Sequence, residues 1–424
     1  MHDIHVVRHE ADALRAAMQR RGKLDVFGPL IDRAQFLDGE RRTAIQSVEE
    51  RKAARNVASQ EVARLKKSKE NADEFVARSR VLGDEIAVIE SGLAATETEL
   101  DAILLGLPNM TAADVPAGDE SANVVVRSWG TPRAANGVKP HWEIGETLGL
   151  LDLPRGAKIS GSGFVVYRGV GARLQRALMN FMLDLHTKEN GYSETWVPQF
   201  VNRSSMTGTG QLPKFEEELY ALRDDALYAV PTAEVPVTNL FAGEILHADT
   251  LPIALTAFSA CFRREAGAAG KDTRGLLRLH QFEKVELVRF CTPETSGAQH
   301  ELLTGHAEMV LQRLELPYRV LLLAAGDTSA SSSKTYDLEV FAPGVGKWLE
   351  VSSCSNFGDF QARRAGIRYR PAPNEKPRFV HTLNGSGLAF ARVFGALLEH
   401  HQNVDGTVGV PEALRPYLGA DVIR

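Results

Sequence analysis

The feature that most constrains this chain is a heptad seam in its N-terminal third. Leu82, Ile86, Ile89, Leu93, Thr96, Leu100, Ile103 and Leu107 follow one another in alternating steps of four and three. That spacing keeps one apolar stripe turned toward a partner helix. Leu37, Ala44, Val48, Ala58, Val62 and Leu65 fit the same spacing upstream, interrupted by Arg41, Arg51 and Arg55. No proline falls between Leu30 and Leu107. The pattern predicts helices over about 30–69 and 73–105, joined near 68–72, with a shorter amphipathic stretch before them that ends near Gly22. Two helices of ~35 residues at ~1.5 Å per residue make an antiparallel hairpin roughly 50 Å long. Such a hairpin buries only its own seam, so it is expected to stand out from the remainder as an arm.

Charge is divided between the two helices. From 51 to 69 there are seven basic residues (Arg51, Lys52, Arg55, Arg64, Lys66, Lys67, Lys69) against the single acid Glu61, whereas 73 to 101 holds eight acids against Arg78 and Arg80. Two readings stand side by side. The charges pair across the hairpin and keep it soluble, or the basic excess meets a phosphate backbone with release of counterions. The chain as a whole carries a net charge of −5, so a contact with nucleic acid must come from a local patch.

With 424 residues the chain has room for roughly two to three domains. Cys261, Cys291 and Cys354 are far apart and form no CxxC pair, which argues against a cysteine zinc site and a disulfide framework. No apolar run approaches the ~20 residues of a membrane span, and the N-terminus is too charged for a signal peptide. A cytoplasmic protein with no membrane association is expected. Beyond Pro108, residues 111–140 are rich in Pro, Gly, Ala and acids and read as a connector. A body of strands and helices follows from 141 to 424.

Within that body, CFRREAGAAGKDTRGLLRLHQFEKVE, from Cys261 to Glu286, reads as two strands joined by a Gly-rich basic loop. Period-2 alternation puts Arg263 with Glu265 on one face of the first strand, and Arg278, Phe282 and Glu286 on one face of the second. Arginine binds phosphate or carboxylate in bidentate fashion, an aromatic ring stacks a base, and a carboxylate receives an ammonium. The competing reading is a solvated hairpin with surface ion pairs. Thr232 and Glu234, two apart at the end of a strand, suit an ammonium or an ordinary helix N-cap. A helix over 172–189 ends before a short strand broken by Pro198, which implies a sheet edge where a second subunit could dock. Strands at 336–340 and 347–353 bring in Glu350. The run Asn384-Gly385-Ser386-Gly387 precedes a helix with Arg392 in its early turns. No GxGxxG or Walker loop occurs, so any nucleotide site is neither a Rossmann nor a P-loop one.

These motifs together carry a family resemblance. Cys261 to Glu286 resembles motif 2 of class II aminoacyl-tRNA synthetases, LNGSGLAFARVFGALLEHHQ resembles motif 3, and the unit ending at Pro198 resembles motif 1. With PTAEVP, TYDLEV, SSCSNFGDFQARR and the helical arm, the chain is similar along nearly its whole length to bacterial-type seryl-tRNA synthetases. The resemblance implies an α+β fold: an antiparallel sheet flanked by helices over 141–424, a connector over 111–140 and a tRNA-binding arm over 1–110. It implies a homodimeric ligase that activates L-serine with ATP and Mg²⁺, without zinc, and charges tRNA(Ser), and tRNA(Sec) where that exists.

The same resemblance assigns roles position by position. Thr232, Ala233 and Glu234 hold the serine ammonium, and Arg263 bridges the serine carboxylate and the ATP α-phosphate. Glu286 and Ser386 read the seryl hydroxyl. Glu265 and the Leu279 backbone read adenine, Phe282 and Arg392 sandwich its ring, and Arg278 holds the terminal phosphates, with Arg264, Val351 and Ser352 also against ATP. Glu350 and Ser353 coordinate Mg²⁺, and Arg263, Arg392 and Glu350 are the catalytic set. Strict alternation puts Glu350 with Ser352, not Ser353, so a bulge or strand end is expected between them. The loop 267–275 is expected to act as a mobile flap over ATP and the tRNA end. Arg264 and Ala391 depart from the commonest family pattern. Rival readings are a paralogue that loads a carrier protein and a non-catalytic RNA-binding relative.

Overall fold

The computed structural model describes residues 1–266 and 274–424, and the chain divides into two compact units, Met1–Pro108 and Asn109–Arg424. In the first unit, helices α1 (Ile4–His9) and α2 (Ala11–Arg20) precede two long ones, α3 (Leu24–Lys67) and α4 (Asp73–Gly106), which pair as a hairpin. Helix α3 starts six residues earlier than its heptads suggest and carries Pro29 in its second turn. A proline that near the start removes one ladder hydrogen bond and leaves the rest of the helix intact. At 44 and 34 residues the helices run about 65 and 50 Å. The seam is where the spacing put it: Val48, Ala58 and Leu65 are buried against Ile86, Leu100 and Ile103. Both Nε and Nη2 of Arg8 donate to the carboxylate of buried Asp38, at 2.8 and 2.7 Å, which pins α1 to α3. That guanidinium holds the Asp38 carboxyl below its usual value.

The second unit is built on a sheet of eight strands among the described residues. In chain order these are β1 (Val124–Trp129), β2 (Ser193–Glu194), β3 (Ile253–Phe262), β4 (Gln281–Cys291), β5 (Tyr318–Leu322), β6 (Lys334–Ala342), β7 (Lys347–Asn356) and β8 (His381–Ala389). Across the sheet the order is β1-β5-β6-β7-β8-β4-β3-β2. All neighbours are antiparallel except β2 and β3. The strand before Pro198 is indeed an edge. Helix α5 (His141–Thr147) follows β1 in the chain. Helices α6 (Val170–Lys188), α7 (Ser296–Arg313) and α8 (Phe390–His400) then pack on one face.

Alternation along β4 decides what each face does. Val285 and Leu287 point into the main core, against Leu178, Met182, Leu303 and Phe394 from the helices. Each such side chain contributes about 1.5–3 kcal/mol on burial. On the other face Val288 and Phe290 join a second cluster with Val237, Ile367 and Tyr369. Earlier on that same face, Phe282 and Lys284 line a cavity, with Glu286 buried next to them. One strand therefore anchors two cores and furnishes the floor of a site.

Candidate active site

The cavity encloses about 330 Å³ and draws its lining from β4, β7, β8, the 232–234 turn, the 276–279 segment and the start of α8. Behind its floor, covered by Thr232, Lys284 and Asn384, lies the buried Glu286. Strand register puts Ala257 on one side of Glu286 and Ser386 on the other. The carboxylate is held from three directions: Thr232 Oγ1 donates to Oε2 at 2.8 Å, Asn384 Nδ2 to Oε1 at 3.0 Å, and the Lys284 ammonium pairs with Oε2. Lys284 also donates to Thr232 Oγ1 at 2.8 Å, and the Glu234 backbone N–H donates to the same oxygen at 3.2 Å. Glu234 is buried and accepts from Gln361 Nε2 at 2.6 Å, while Gln361 in turn accepts from Thr382 at 2.7 Å. Burial, with the nearby Glu286 charge adding to it, raises the Glu234 carboxyl to about 7.

The opposite end is set up by arginines. The Arg263 guanidinium lies over the Phe282 ring, 5.1 Å from its centroid. Arg278 and Glu265 form an ion pair. Arg392 donates from Nε to the Leu277 carbonyl at 3.2 Å and from Nη1 to the Glu350 carbonyl at 2.6 Å. The strand reading of Arg263, Glu265 and Arg278 needs correction. β3 stops at Phe262 and β4 starts at Gln281, and Glu265 sits at φ +51°. These three are loop residues brought together by the loop's path, not by alternation.

A network behind the cavity fixes its wall. The Leu276 N–H donates to His141 Nε2 at 3.0 Å, so the ring proton resides on Nδ1, which faces Glu399 Oε1 at 2.7 Å. Glu399 Oε2 accepts from the Gly344 N–H at 2.8 Å. Gly275, at φ +66°, lies so close that a Cβ would come within 2.5 Å of His141 Nε2. Only glycine fits there.

On β7 a bulge falls where Glu350 gives way to Ser352. Ser352 opposes Leu338 while Glu350 opposes Glu339, and Val351 is the extra residue. Glu350 and Ser353 thereby both face the cavity. Asp337, directly opposite Ser353, has one buried carboxylate oxygen without a hydrogen-bond partner among the described residues. Its carboxyl is pushed up by burial and by the Glu350 charge. One carboxylate and one hydroxyl with room for phosphate oxygens is a donor set that suits magnesium, a cation that keeps few protein ligands.

Of the other residues named from sequence, Thr232, Glu234, Leu279, Val351, Ser386 and Arg392 line the cavity. Ala233 is buried beneath it. Ser352 turns to the Ser386 carbonyl at 2.7 Å, and Arg264 reaches the Glu217 carbonyl at 3.2 Å. Most of the expected flap, residues 267–273, lies outside the described residues. Sequence reasoning missed Lys284, Asn384, Gln361 and the His141–Glu399 pair. Lys284 shares parity with Phe282 and Glu286, and Asn384 with Ser386, so alternation alone could have found both.

Residues 215–401 match the tRNA synthetase class II core domain family (G, H, P, S and T). The sheet and cavity are therefore those of a class II aminoacyl-tRNA synthetase core. Residues 1–111 match the seryl-tRNA synthetase N-terminal domain. The chain is 63% identical over 424 residues to serine–tRNA ligase of Gemmatimonas aurantiaca, covering all of both proteins. It is 53% identical over 428 residues to that of Carboxydothermus hydrogenoformans, covering 100% of this chain and 99% of the relative. Among solved structures, seryl-tRNA synthetase from Pyrococcus horikoshii complexed with ATP superposes with a TM-score of 0.94 at 38% identity, over 100% of this chain and 99% of the other. The chain belongs to the seryl-tRNA synthetase family.

Proposed function

We propose that this protein activates L-serine with ATP and transfers it to the 3′ end of tRNA(Ser), and of tRNA(Sec) where present. The observation that carries the reading is a pair of buried carboxylates, Glu234 in the cavity lining and Glu286 directly behind the lining residues Thr232, Lys284 and Asn384. Glu234 suits the substrate ammonium. Glu286, with one acceptor position left after Thr232, Lys284 and Asn384, suits a hydroxyl. Alanine would leave that buried acceptor unpaired, at a cost of about 1–3 kcal/mol.

In the first step the serine carboxylate oxygen attacks the α-phosphorus and the bond to pyrophosphate breaks, giving seryl-adenylate. In the second, a 3′-terminal tRNA hydroxyl attacks the acyl carbon and AMP leaves. Arg263 carries the charge that develops between carboxylate and phosphate. Phe282 and Arg392 stack the adenine, which requires Arg263 to come off the Phe282 ring. Glu265 and the Leu279 backbone read the base edge once Arg278 turns to the terminal phosphates. Glu350 and Ser353 would hold Mg²⁺, which supplies charge neutralisation to the phosphates. No protein nucleophile is needed; catalysis is positioning and electrostatics.

The arm supports tRNA binding more selectively than its composition suggests. Arg51 and Lys52 pair with Glu85 and Glu90 across the hairpin, and Arg64 pairs with Glu61. Arg55, Lys66, Lys67 and Lys69, with Arg78 and Arg80, make no ion pair among the described residues and are the cations available to phosphate. A homodimer is supported by exposed apolar side chains at both sheet edges, Val124 and Val125 at one and Trp196, 72% exposed, by the other. Among the described residues no helix is long and apolar enough to cross a membrane, and a cytoplasmic location fits the substrates.

Serine-dependent ATP–pyrophosphate exchange, followed by transfer to tRNA, tests the proposal. No exchange overturns it, and exchange without transfer points to a carrier-protein ligase. Deleting residues 40–100 should abolish transfer and spare exchange.

A further inference from the structure

We propose that Lys284 is the specificity-determining residue that sorts the two carboxylates of the amino-acid pocket, assigning Glu234 to an ammonium and Glu286 to a hydroxyl. The proposal rests on the serine-activating reading above and deepens it.

The two carboxylates are alike in kind and both are buried, Glu234 in the cavity lining and Glu286 one layer behind it, bonded to the lining residues Thr232, Lys284 and Asn384. Nothing about a carboxylate by itself decides whether it receives R–NH₃⁺ or R–OH. What differs is the company each keeps. Glu234 receives a neutral amide from Gln361 at 2.6 Å. Glu286 receives neutral donors from Thr232 and Asn384 and, unlike Glu234, the cation of Lys284. Lys284 lies two residues before Glu286 on the same face of β4 and is itself buried. A buried carboxylate paired with a buried ammonium offers a neutral surface that still accepts a hydrogen bond. A second ammonium brought there would meet like charge at close range in a medium that screens poorly. Glu234, with no ion pair among the described residues, remains the attractive end for positive charge.

Lys284 also removes a competitor for the substrate. The Thr232 hydroxyl has one proton and two lone pairs. The proton goes to Glu286, and the lone pairs take Lys284 Nζ at 2.8 Å and the Glu234 N–H at 3.2 Å. That hydroxyl has no position left for a ligand, so the Thr232 side chain does not hold the substrate ammonium as the family resemblance implied. It serves as a spacer that keeps Lys284 and Glu286 in register. The carboxylate acceptors left to a ligand are then Glu234 and one position on Glu286, with opposite preferences for charge, and an α-amino acid bearing a β-hydroxyl enters in one orientation.

The test uses L-2,3-diaminopropionate, which replaces the seryl hydroxyl with an ammonium. Pyrophosphate exchange and amino-acid binding are measured for serine, alanine and diaminopropionate in the wild-type protein, Lys284→Gln and Lys284→Arg. Lys284→Gln keeps a donor for Thr232 and removes the charge; Lys284→Arg keeps the charge. In Lys284→Gln the preference for serine over diaminopropionate should fall by at least about tenfold, while the ATP KM stays within about twofold. Lys284→Arg should retain the wild-type preference, and thermal melts establish that both variants are folded. An unchanged preference in a folded Lys284→Gln protein, or ATP and serine KM values rising together, refutes the sorting role. Wild-type protein without serine-dependent exchange refutes the parent reading, and this one with it.

Discussion

Replacing His141 with alanine tests whether the wall of the nucleotide end is set from behind. The imidazole is 1% exposed and does not itself line the cavity. Its Nε2 accepts the Leu276 N–H at 3.0 Å, and Leu276 opens the segment that carries Leu277, Arg278 and Leu279 into the site. Removing the ring orphans that N–H and one contact to Glu399, and a buried donor left without a partner costs about 1–3 kcal/mol. If that cost is met by displacement of the segment, it falls on ATP. The expected ATP KM rises about 5- to 150-fold, with serine KM within about twofold, because Thr232, Glu234, Glu286 and Ser386 lie on other elements. His141→Gln, whose side-chain oxygen can occupy the Nε2 position, should recover most of the loss. Exchange kinetics at varied ATP and serine, with a melting curve for each variant, provide the measurement. Equal movement of both KM values, or none in a protein that still melts cooperatively, would show that the network supports the fold and not the nucleotide.

Three other expectations follow from charges. Glu234 must be ionised to receive an ammonium, and its carboxyl is raised to about 7 by burial and then by Glu286. Serine KM should therefore fall as pH rises, about tenfold per unit below 7 and levelling above it, and a flat profile from pH 6 to 8 would refute this. The sign for stability is the reverse. A carboxyl whose pKa is raised by folding stabilises the protonated native state, so the protein without serine should lose stability as pH climbs from about 4.5 through 7, by up to about 3 kcal/mol, readable in thermal melts. On the arm, replacing Lys66, Lys67 and Lys69 together by alanine should lower the salt slope of tRNA binding by about 2–3, since each freed phosphate contact contributes about 0.7–0.9. Arg51→Ala, at a residue engaged with Glu85, should change it less; equal slopes in filter-binding titrations would contradict that division.

Much of this was visible in the sequence wherever a local period governs. The heptad steps located the seam from Leu82 to Leu107, and the shared face needed for Glu350 and Ser353 implied the bulge that Val351 forms. Reading failed where the period stops without a signal. Arg263, Glu265 and Arg278 look like strand residues, yet β3 ends at Phe262, and a positive φ at Glu265 is not encoded by any glycine or asparagine there. Lys284 was overlooked although alternation pointed to it, because a lysine between an aromatic ring and a carboxylate reads as solvated charge. The His141–Glu399 pair spans 258 positions, and no spacing rule reaches that far. Its existence depends on α5 and α8 packing together.

The full occupancy of the Thr232 hydroxyl has an evolutionary consequence. In a pocket where one oxygen serves Glu286, Lys284 and the Glu234 backbone at once, no polar member can change alone without stranding another. Neighbouring substitutions should be strongly epistatic, each harmful singly and tolerable only in company. A lineage seeking a different amino acid would have to cross a valley several substitutions wide. The pocket's loyalty to one substrate then comes as much from the scarcity of viable intermediates as from the fit of the final form.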